Sequence, residues 1–197
     1  MNLKYLKYLR CFCDSDQFSI LQFQNGKLKL ITIINEEKIE TGLMICDNCY
    51  RWFPIDEGVL NMLPDKLAQD NNNSFIKRYS IDLPATCSKK NMQRLDNLKH
   101  DEESIFHKKN EIEARDEQAE VYHTYGYKRH DENEKEYFLE FLKPTQMDVI
   151  IELGCGTGRI TEEIISRGFN KYMVIDFSGR SLQLLRNRLS AEMRNRI

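Results

Sequence analysis

The sequence predicts an α/β protein in two parts, a small β-rich module followed by the opening strands of a parallel sheet. Two observations lead to this prediction. Two pairs of cysteines flank hairpin-like residues near the N-terminal end, and a glycine-rich turn separates a strand pattern from a helix pattern further along the chain. Because polar and charged residues dominate after residue 65, we assign residues 1–65 to the module, 66–110 to a linker or irregular helical segment, and 111–197 to the α/β part.

The β-rich module is predicted from apolar segments separated by turn residues. Leu28–Ile34 alternates and then becomes wholly apolar, which is typical of a half-buried strand. The turn residues Asn35-Glu36-Glu37 follow, and Ile39–Ile45 is predicted to return as the second strand of a hairpin. Further along, the polar stretch Asp70–Ser74 predicts a linker.

Helices and strands alternate in the α/β part. A helix near Glu111 places Ile112, Ala119 and Tyr122 on one face, and a second helix is predicted over Glu134–Leu142. The remaining predicted elements are a strand (148–153), a glycine turn (154–158), a helix (159–167), a strand (171–176) and a last helix capped by Ser178. This order is that of a βαβα unit in an open parallel sheet.

The glycine turn has a spacing that excludes two common nucleotide sites. Arg159 occupies the position where both the phosphate-binding P-loop and the dinucleotide fingerprint require a glycine. Glu152 precedes the turn, and Asp176 ends the next strand, where an acid can accept hydrogen bonds from ribose hydroxyls. These residues favour a ligand with a ribose and a positive end but no phosphate, as in S-adenosylmethionine. The alternative is a glycine turn that binds nothing.

Three segments resemble the class I S-adenosylmethionine-dependent methyltransferases. Glu152–Gly158 resembles their first motif, Val174–Ser178 resembles their second, and Glu113–Tyr122 is similar to the helix that covers the cofactor in many small-molecule members. The resemblance covers residues 111–197. It implies a Rossmann-like methyltransferase sheet and a small-molecule methyl acceptor.

The resemblance also assigns roles to particular residues. It implies that the glycines lie behind the methionine part of the cofactor, that Asp176 holds the ribose, that Phe177 flanks the adenine and that Tyr122 closes the pocket. For Tyr122 a plain core aromatic is the alternative. The cofactor-binding candidates are Tyr122, Glu152, Gly154, Gly156, Gly158, Asp176 and Phe177. No catalytic residue is assigned, because most acceptor contacts in this family come from the loops after the later strands.

The first cysteine pair is Cys11/Cys13 and the second is Cys46/Cys49, which is the layout of a zinc ribbon with four thiolate ligands. Residues 45–63 resemble the small zinc-ribbon protein that activates certain tRNA and release-factor methyltransferases, a module also found fused ahead of some bacterial methyltransferases. The first pair is Cys-x-Cys rather than Cys-x-x-Cys, so a metal-free module with small buried cysteines is the alternative. A bound zinc would be structural, since four protein ligands leave no open position.

Composition limits the class of protein. The chain has 197 residues, 41% of them hydrophobic and 30% charged, with a net charge of −2. Collagen-like and disulfide-scaffold proteins are excluded. No apolar stretch reaches the roughly 20 residues of a membrane span, and the first residues lack a secretory pattern. We therefore expect a cytoplasmic protein outside membranes, and the near-neutral charge argues against nucleic acid as a partner.

Length raises a further expectation. The family sheet has seven strands, and residues 111–197 account for the first two, so we expect a fragment or early-terminated product, or a partner chain that completes the sheet. Two other functions stay open on sequence alone. One is a non-catalytic module that docks a partner methyltransferase. The other is an RNA-binding protein that uses the ribbon and the arginine-rich final residues 180–197, for which a solvated helix face is the alternative.

Overall fold

The protein is a mixed α/β chain whose structure is a computed structural model describing residues 1–32, 38–85, 87, 102–122, 128–141, 149–169 and 171–197. It divides into two compact units, Met1–Lys109 and Asn110–Ile197. The turn predicted at Asn35-Glu36-Glu37 lies outside the described residues. Each unit is described on its own below.

The first unit is built on a five-stranded antiparallel sheet, preceded by a 3-10 helix over Leu3–Tyr8. The strands are β1 (Phe18–Gln24), β2 (Lys27–Ile31), β3 (Gly42–Cys46), β4 (Trp52–Asp56) and β5 (Val59–Leu60). Their order across the sheet is β2-β1-β3-β4-β5. The predicted small β-rich module is therefore present, with β3 at its centre.

The predicted pairing of 28–34 with 39–45 is wrong, because β1 lies between these two strands. Ile20 of β1 is opposite Ile31 on one side and opposite Met44 on the other. The reason is the dipeptide Asn25-Gly26, whose φ angles of 51° and 76° give the left-handed turn that best matches the twist of a two-residue hairpin. This turn joins β1 directly to β2, and β3 then pairs with the free edge of β1.

Both faces of this sheet are covered. On one face Ile20, Met44 and Phe53 pack with the 3-10 helix residue Leu3 and with the cysteine-bearing loops. On the other face the buried residues are Leu43, Ile45, Trp52, Phe75, Ile81 and Cys87. Every residue of β3 is buried, as expected of a central strand between two apolar layers.

The linker predicted at Asp70–Ser74 is wrong, because these residues lie within helix α1 (Asp65–Tyr79). Ala68 and Phe75, seven residues apart on one helical face, are both buried, while Asn71 and Asn73 are exposed. The Tyr79 hydroxyl also donates a 2.8 Å hydrogen bond to Asp56 of β4. Packing of this face outweighs the weak helix propensity of asparagine.

The second unit contains the predicted alternation of helices and strands. Strands β6 and β7 are parallel, with Ile150 opposite Tyr172 and Leu153 opposite Ile175. The elements are α2 (Glu102–Gln118), which belongs to this unit from Asn110 onward, α3 (Lys128–Phe141), β6 (Ile150–Leu153), α4 (Thr161–Ser166), β7 (Tyr172–Ile175), α5 (Gly179–Arg188) and α6 (Ala191–Arg194). Among the described residues this parallel sheet has two strands, so the larger Rossmann-like sheet stays a prediction.

One face of the two-stranded sheet is packed and the other is exposed. Tyr172 packs with Ile164 and Ile165 of α4 and with Leu185 and Leu189, the latter just beyond α5. On the opposite face Ile151, Leu153 and Ile175 are exposed. The alternation follows from the period of two along a strand.

The helix boundaries differ from the predictions in several places. Helix α2 ends at Gln118, so Ala119 and Tyr122, predicted on its face with Ile112, lie beyond it, and α4 is shorter than the predicted 159–167. Helix α3 begins at Lys128, six residues before the predicted start, and the predicted final residue Leu142 lies outside the described residues. The predicted last helix is two helices, because Leu189 is extended and the Ser190 side chain accepts a hydrogen bond from Met193 N–H to start α6. None of the helices in the described ranges is long and apolar enough to cross a membrane.

Candidate functional site

The four N-terminal cysteines meet at one point of the first unit. Cys11 and Cys13 lie on the loop before β1, Cys46 ends β3, and Cys49 lies three residues before β4. All four Sγ atoms are within 4.8 Å of one another, with 3.5 Å between Cys11 and Cys49 and 3.6 Å between Cys13 and Cys46. Zn–S bonds of about 2.3 Å in a tetrahedron require S···S separations of about 3.8 Å. The four sulfurs therefore fit a single metal ion.

The short Cys-x-Cys spacing is accommodated by a tight turn. Asp14 has a left-handed φ of 64°, its N–H donates to the Cys11 carbonyl at 2.9 Å, and the Cys11 N–H donates to the Ser15 carbonyl at 2.8 Å. On the other loop Tyr50 has a φ of 59° and donates to the Cys46 carbonyl at 2.8 Å. Each left-handed residue follows the second cysteine of its pair, so both loops turn their sulfurs toward the same point.

Hydrogen bonds and burial act in opposite directions on the thiols. Burial raises the pKa of Cys13, but hydrogen bonds from the Ser15 backbone and from neighbouring side chains outweigh it and lower this pKa to about 6. Burial raises the pKa of Cys11 and of Cys49 above the ordinary value. The side-chain amide of Asn48 also donates to Cys13 Sγ at 3.5 Å. Without metal, negative charge therefore concentrates on Cys13.

A cation lies beside the cysteine loops. Arg51, two residues beyond Cys49, is buried, and its guanidinium lies over the ring of Phe12 at 5.2 Å from the centroid. Phe12 separates the first two cysteines in the chain, so this cation–π contact joins the two loops. A zinc ion with four thiolates has a net charge of −2, which a neighbouring guanidinium favours.

The other candidate site is the glycine turn of the second unit, which connects β6 to α4. Gly154, Gly156 and Gly158 have φ angles of 71°, 54° and 91°, a conformation that favours glycine at each position. The Gly154 N–H donates to the Ile175 carbonyl at 2.7 Å and so holds the turn against the end of β7. The glycine spacing is thus a requirement of the backbone.

Space around the glycines differs along the turn. A Cβ atom built on Gly154 or Gly156 meets no atom within 4 Å, whereas one on Gly158 lies 2.0 Å from Cδ1 of Leu185. The first two glycines therefore border open space that a ligand can approach. The third allows the turn to pack against α5.

Asp176 directly follows β7 and lies against the glycine turn. Its Oδ2 accepts a 2.8 Å hydrogen bond from the Gly156 N–H, and its Oδ1 accepts one of 2.8 Å from the Ser178 N–H. An ionised carboxylate has about four acceptor positions, so these two bonds leave capacity for ligand hydroxyls.

Glu152 belongs to an internal network. Its Oε2 accepts hydrogen bonds of 2.6 Å from both Thr161 Oγ1 and Tyr172 Oη, two fully buried residues. Burial, together with the bond to Glu152, raises the pKa of Tyr172. These contacts give Glu152 a structural role in joining β6 to α4 and β7, in addition to any role toward a ligand.

The two predicted aromatic site residues are both accessible. Phe177 is 39% exposed and follows Asp176 directly. Tyr122 is 54% exposed, whereas Ala119, predicted on the same helical face, is buried. The alternative of Tyr122 as a plain core aromatic is therefore wrong. The exposure leaves its ring free to contact a ligand.

Sequence reasoning missed the polar contacts between α2 and α5. Asp116 Oδ1 accepts a 2.5 Å hydrogen bond from Ser178 Oγ and a 3.2 Å one from the Arg180 N–H, and Glu120 forms an ion pair with the Arg180 guanidinium. The available signal is the i, i+4 spacing of Asp116 and Glu120, which predicts one helical face, although α2 ends at Gln118 and Glu120 lies in the turn beyond it. That spacing alone does not identify the partner helix.

Comparisons of the chain with protein-family models, curated proteins and solved structures found no match. Its function is therefore inferred from its own residues.

Proposed function

We propose that the chain binds S-adenosylmethionine at the Gly154–Gly158 turn and acts as a methyltransferase on a small molecule. The observation that carries this proposal is the 2.8 Å hydrogen bond between the Gly156 N–H and Asp176 Oδ2. It places a carboxylate from the second strand directly beside an open glycine turn at the end of the first.

The charge of the site supports this choice of ligand. Asp176 is an anion beside the turn, and an anion repels a phosphate placed next to it. A ribose instead offers two hydroxyls that can donate to the free acceptor positions of that carboxylate. S-adenosylmethionine combines such a ribose with a positively charged sulfonium and has no phosphate.

The protein has a limited role in the reaction that we propose. When bound, S-adenosylmethionine supplies an activated methyl group, so no nucleophilic side chain is needed. The turn and Asp176 would hold the donor in one orientation, and the exposed rings of Tyr122 and Phe177 would shield it from water. No residue is assigned as a general base.

We also propose that the four cysteines of the first unit hold a structural zinc ion. The mutual Sγ distances, all within 4.8 Å, support this proposal. Oxidation to disulfides is the competing fate of such a cluster, and metal analysis distinguishes the two.

The RNA-binding alternative receives less support. Three arginines of the C-terminal stretch have internal partners: Arg180 pairs with Glu120, Arg188 with Glu162, and Arg196 with Glu192. Each of these carboxylates lowers the net positive charge that the stretch presents to a phosphate backbone.

Calorimetric titration of the full chain with S-adenosylmethionine tests the proposed cofactor. We expect saturable binding that Asp176→Ala weakens at least tenfold, with Glu140→Ala, an exposed acid of α3, as the matched control. Absence of heat at millimolar S-adenosylmethionine, or equal affinity of the Asp176→Ala variant, would overturn the proposal.

A further inference from the structure

Three hydrogen bonds connect helix α2 to the glycine turn through the end of β7. Ser178 Oγ donates to Asp116 Oδ1 at 2.5 Å, Ser178 N–H donates to Asp176 Oδ1 at 2.8 Å, and Gly156 N–H donates to Asp176 Oδ2 at 2.8 Å. We call this chain of contacts, Asp116–Ser178–Asp176–Gly156, the relay. It begins on a helix distant in sequence and ends on the turn proposed to hold the cofactor.

Ser178 is the central member of the relay, and its hydroxyl orientation is determined. It is buried, and its Oγ accepts the Ser181 N–H at 3.0 Å as the N-cap of α5. Its Oγ also lies 2.9 Å from Ser181 Oγ. Because a carboxylate only accepts hydrogen bonds whereas the Ser181 hydroxyl can donate, the hydroxyl proton of Ser178 is assigned to Asp116. Asp116 therefore fixes the side chain of the residue whose N–H holds Asp176.

Asp116 makes a second contact with the same helix end. Its Oδ1 also accepts the Arg180 N–H at 3.2 Å, one of the first-turn donors of α5 that has no partner within the helix. A negative charge near a helix N-terminus is stabilised by the helix dipole. Ala119, three residues beyond Asp116 in the turn that follows α2, is buried, so the chain lies close to its neighbours here.

We propose that Asp116 is a positioning residue for the cofactor site. By holding Ser178, it sets the orientation of the Asp176 carboxylate and, through it, the Gly156 turn. This inference rests on the proposed function for its ligand, but the positioning itself is a property of the protein without ligand.

The substitutions Asp116→Ala and Asp116→Asn separate loss of the hydrogen-bond acceptor at position 116 from loss of its negative charge alone. Alanine removes the acceptor for Ser178 and Arg180, and we expect about tenfold weaker binding of S-adenosylmethionine, the effect of roughly one charge-assisted hydrogen bond. Asparagine keeps an oxygen acceptor at the same position and is expected to restore affinity to within about threefold of the unmodified protein. Glu117→Gln, an exposed neighbour on α2, is the control.

Amide hydrogen exchange measured by NMR on the ligand-free full chain supplies the second readout. In Asp116→Ala we expect faster exchange at the Gly156 and Ser178 N–H groups, normalised to Ile165 in the core of the same unit to remove any loss of global stability. Asp116→Asn and Glu117→Gln are expected to retain the original ratio.

The two readouts distinguish failure of the inference from failure of the proposed function. If Asp116→Ala leaves the normalised exchange and the affinity unchanged while the unmodified protein binds S-adenosylmethionine, the positioning role is overturned. If exchange rises as expected but the unmodified protein does not bind S-adenosylmethionine, the positioning role stands and the proposed cofactor is wrong.

Discussion

Gly158 and Leu185 are packed so closely that a Cβ atom on the glycine would lie 2.0 Å from the leucine Cδ1. The third glycine of the turn is therefore a packing residue between the turn and α5. Gly154 has a similar left-handed backbone but open space around it. Substitutions at these two positions therefore separate the cost of backbone strain from the cost of steric overlap.

We expect Gly158→Ala to lower the free energy of unfolding of the second unit by about 3 kcal/mol, the sum of left-handed strain and overpacking. Gly154→Ala, which adds strain alone, is expected to cost about 1 kcal/mol. Urea unfolding followed by exchange of the Ile165 and Tyr172 amides measures both. Equal losses for the two variants would contradict the packing role of Gly158.

Zinc content provides a test of the cysteine cluster. We expect one zinc ion per purified chain by elemental mass spectrometry, because the four Sγ atoms form one complete ligand set. Cys46→Ser should lose the metal, whereas Cys87→Ser should retain it. Both cysteines are buried, but Cys87 lies in the apolar layer on the other face of the sheet. Retention of zinc by Cys46→Ser would exclude a four-cysteine site.

Removal of the metal is expected to destabilise the first unit. Trp52, the only tryptophan of the chain, is buried in β4 and reports on this sheet. Zinc bound to the folded state alone, at a hundredfold above its dissociation constant, stabilises by about 2.7 kcal/mol. We therefore expect chelation to lower the urea midpoint of Trp52 fluorescence. An unchanged midpoint after verified metal loss would show that apolar packing suffices.

The metal-free protein should show a pH-dependent reactivity at Cys13. Its pKa of about 6 lies below the unfolded value of 9.0, so between these values the unfolded state binds one more proton at this site. The contribution of Cys13 to stability is then present above pH 9 and is lost as pH falls through 6.

Alkylation measures this directly. At pH 7 iodoacetamide should modify Cys13 before Cys11, whose pKa is raised by burial. Peptide mass spectrometry of the chelated protein gives the order, with the zinc-loaded protein as the protected control. Faster modification of Cys11 would contradict the assigned charge distribution.

Local patterns predict much of the second unit, because its strands, glycine turn and N-cap are each specified by a few consecutive residues. The position of Asp176 against the turn follows from the parallel pairing of β6 and β7. The contact between Asp116 and Ser178 does not, since it joins residues 62 positions apart through a helix whose direction no local pattern specifies.

Local sequence patterns predict less of the first unit. The apolar residues Phe18, Ile20, Leu21 and Phe23 do not alternate regularly, so β1 is overlooked unless the Asn25-Gly26 turn is recognised. Helix α1 is hidden by its asparagines, because its stability comes from burying Ala68 and Phe75. In both cases packing within the unit decides the structure.

The central claim is that the Gly154–Gly158 turn and Asp176 select a phosphate-free adenosine ligand with a positive charge. Its most direct test is competition on the full chain, in which ATP or S-adenosylmethionine displaces tritiated S-adenosylmethionine in equilibrium dialysis. We expect unlabelled S-adenosylmethionine to displace the tracer with at least a hundredfold advantage over ATP. Equal displacement by ATP, or absence of any retained tracer, would contradict the account.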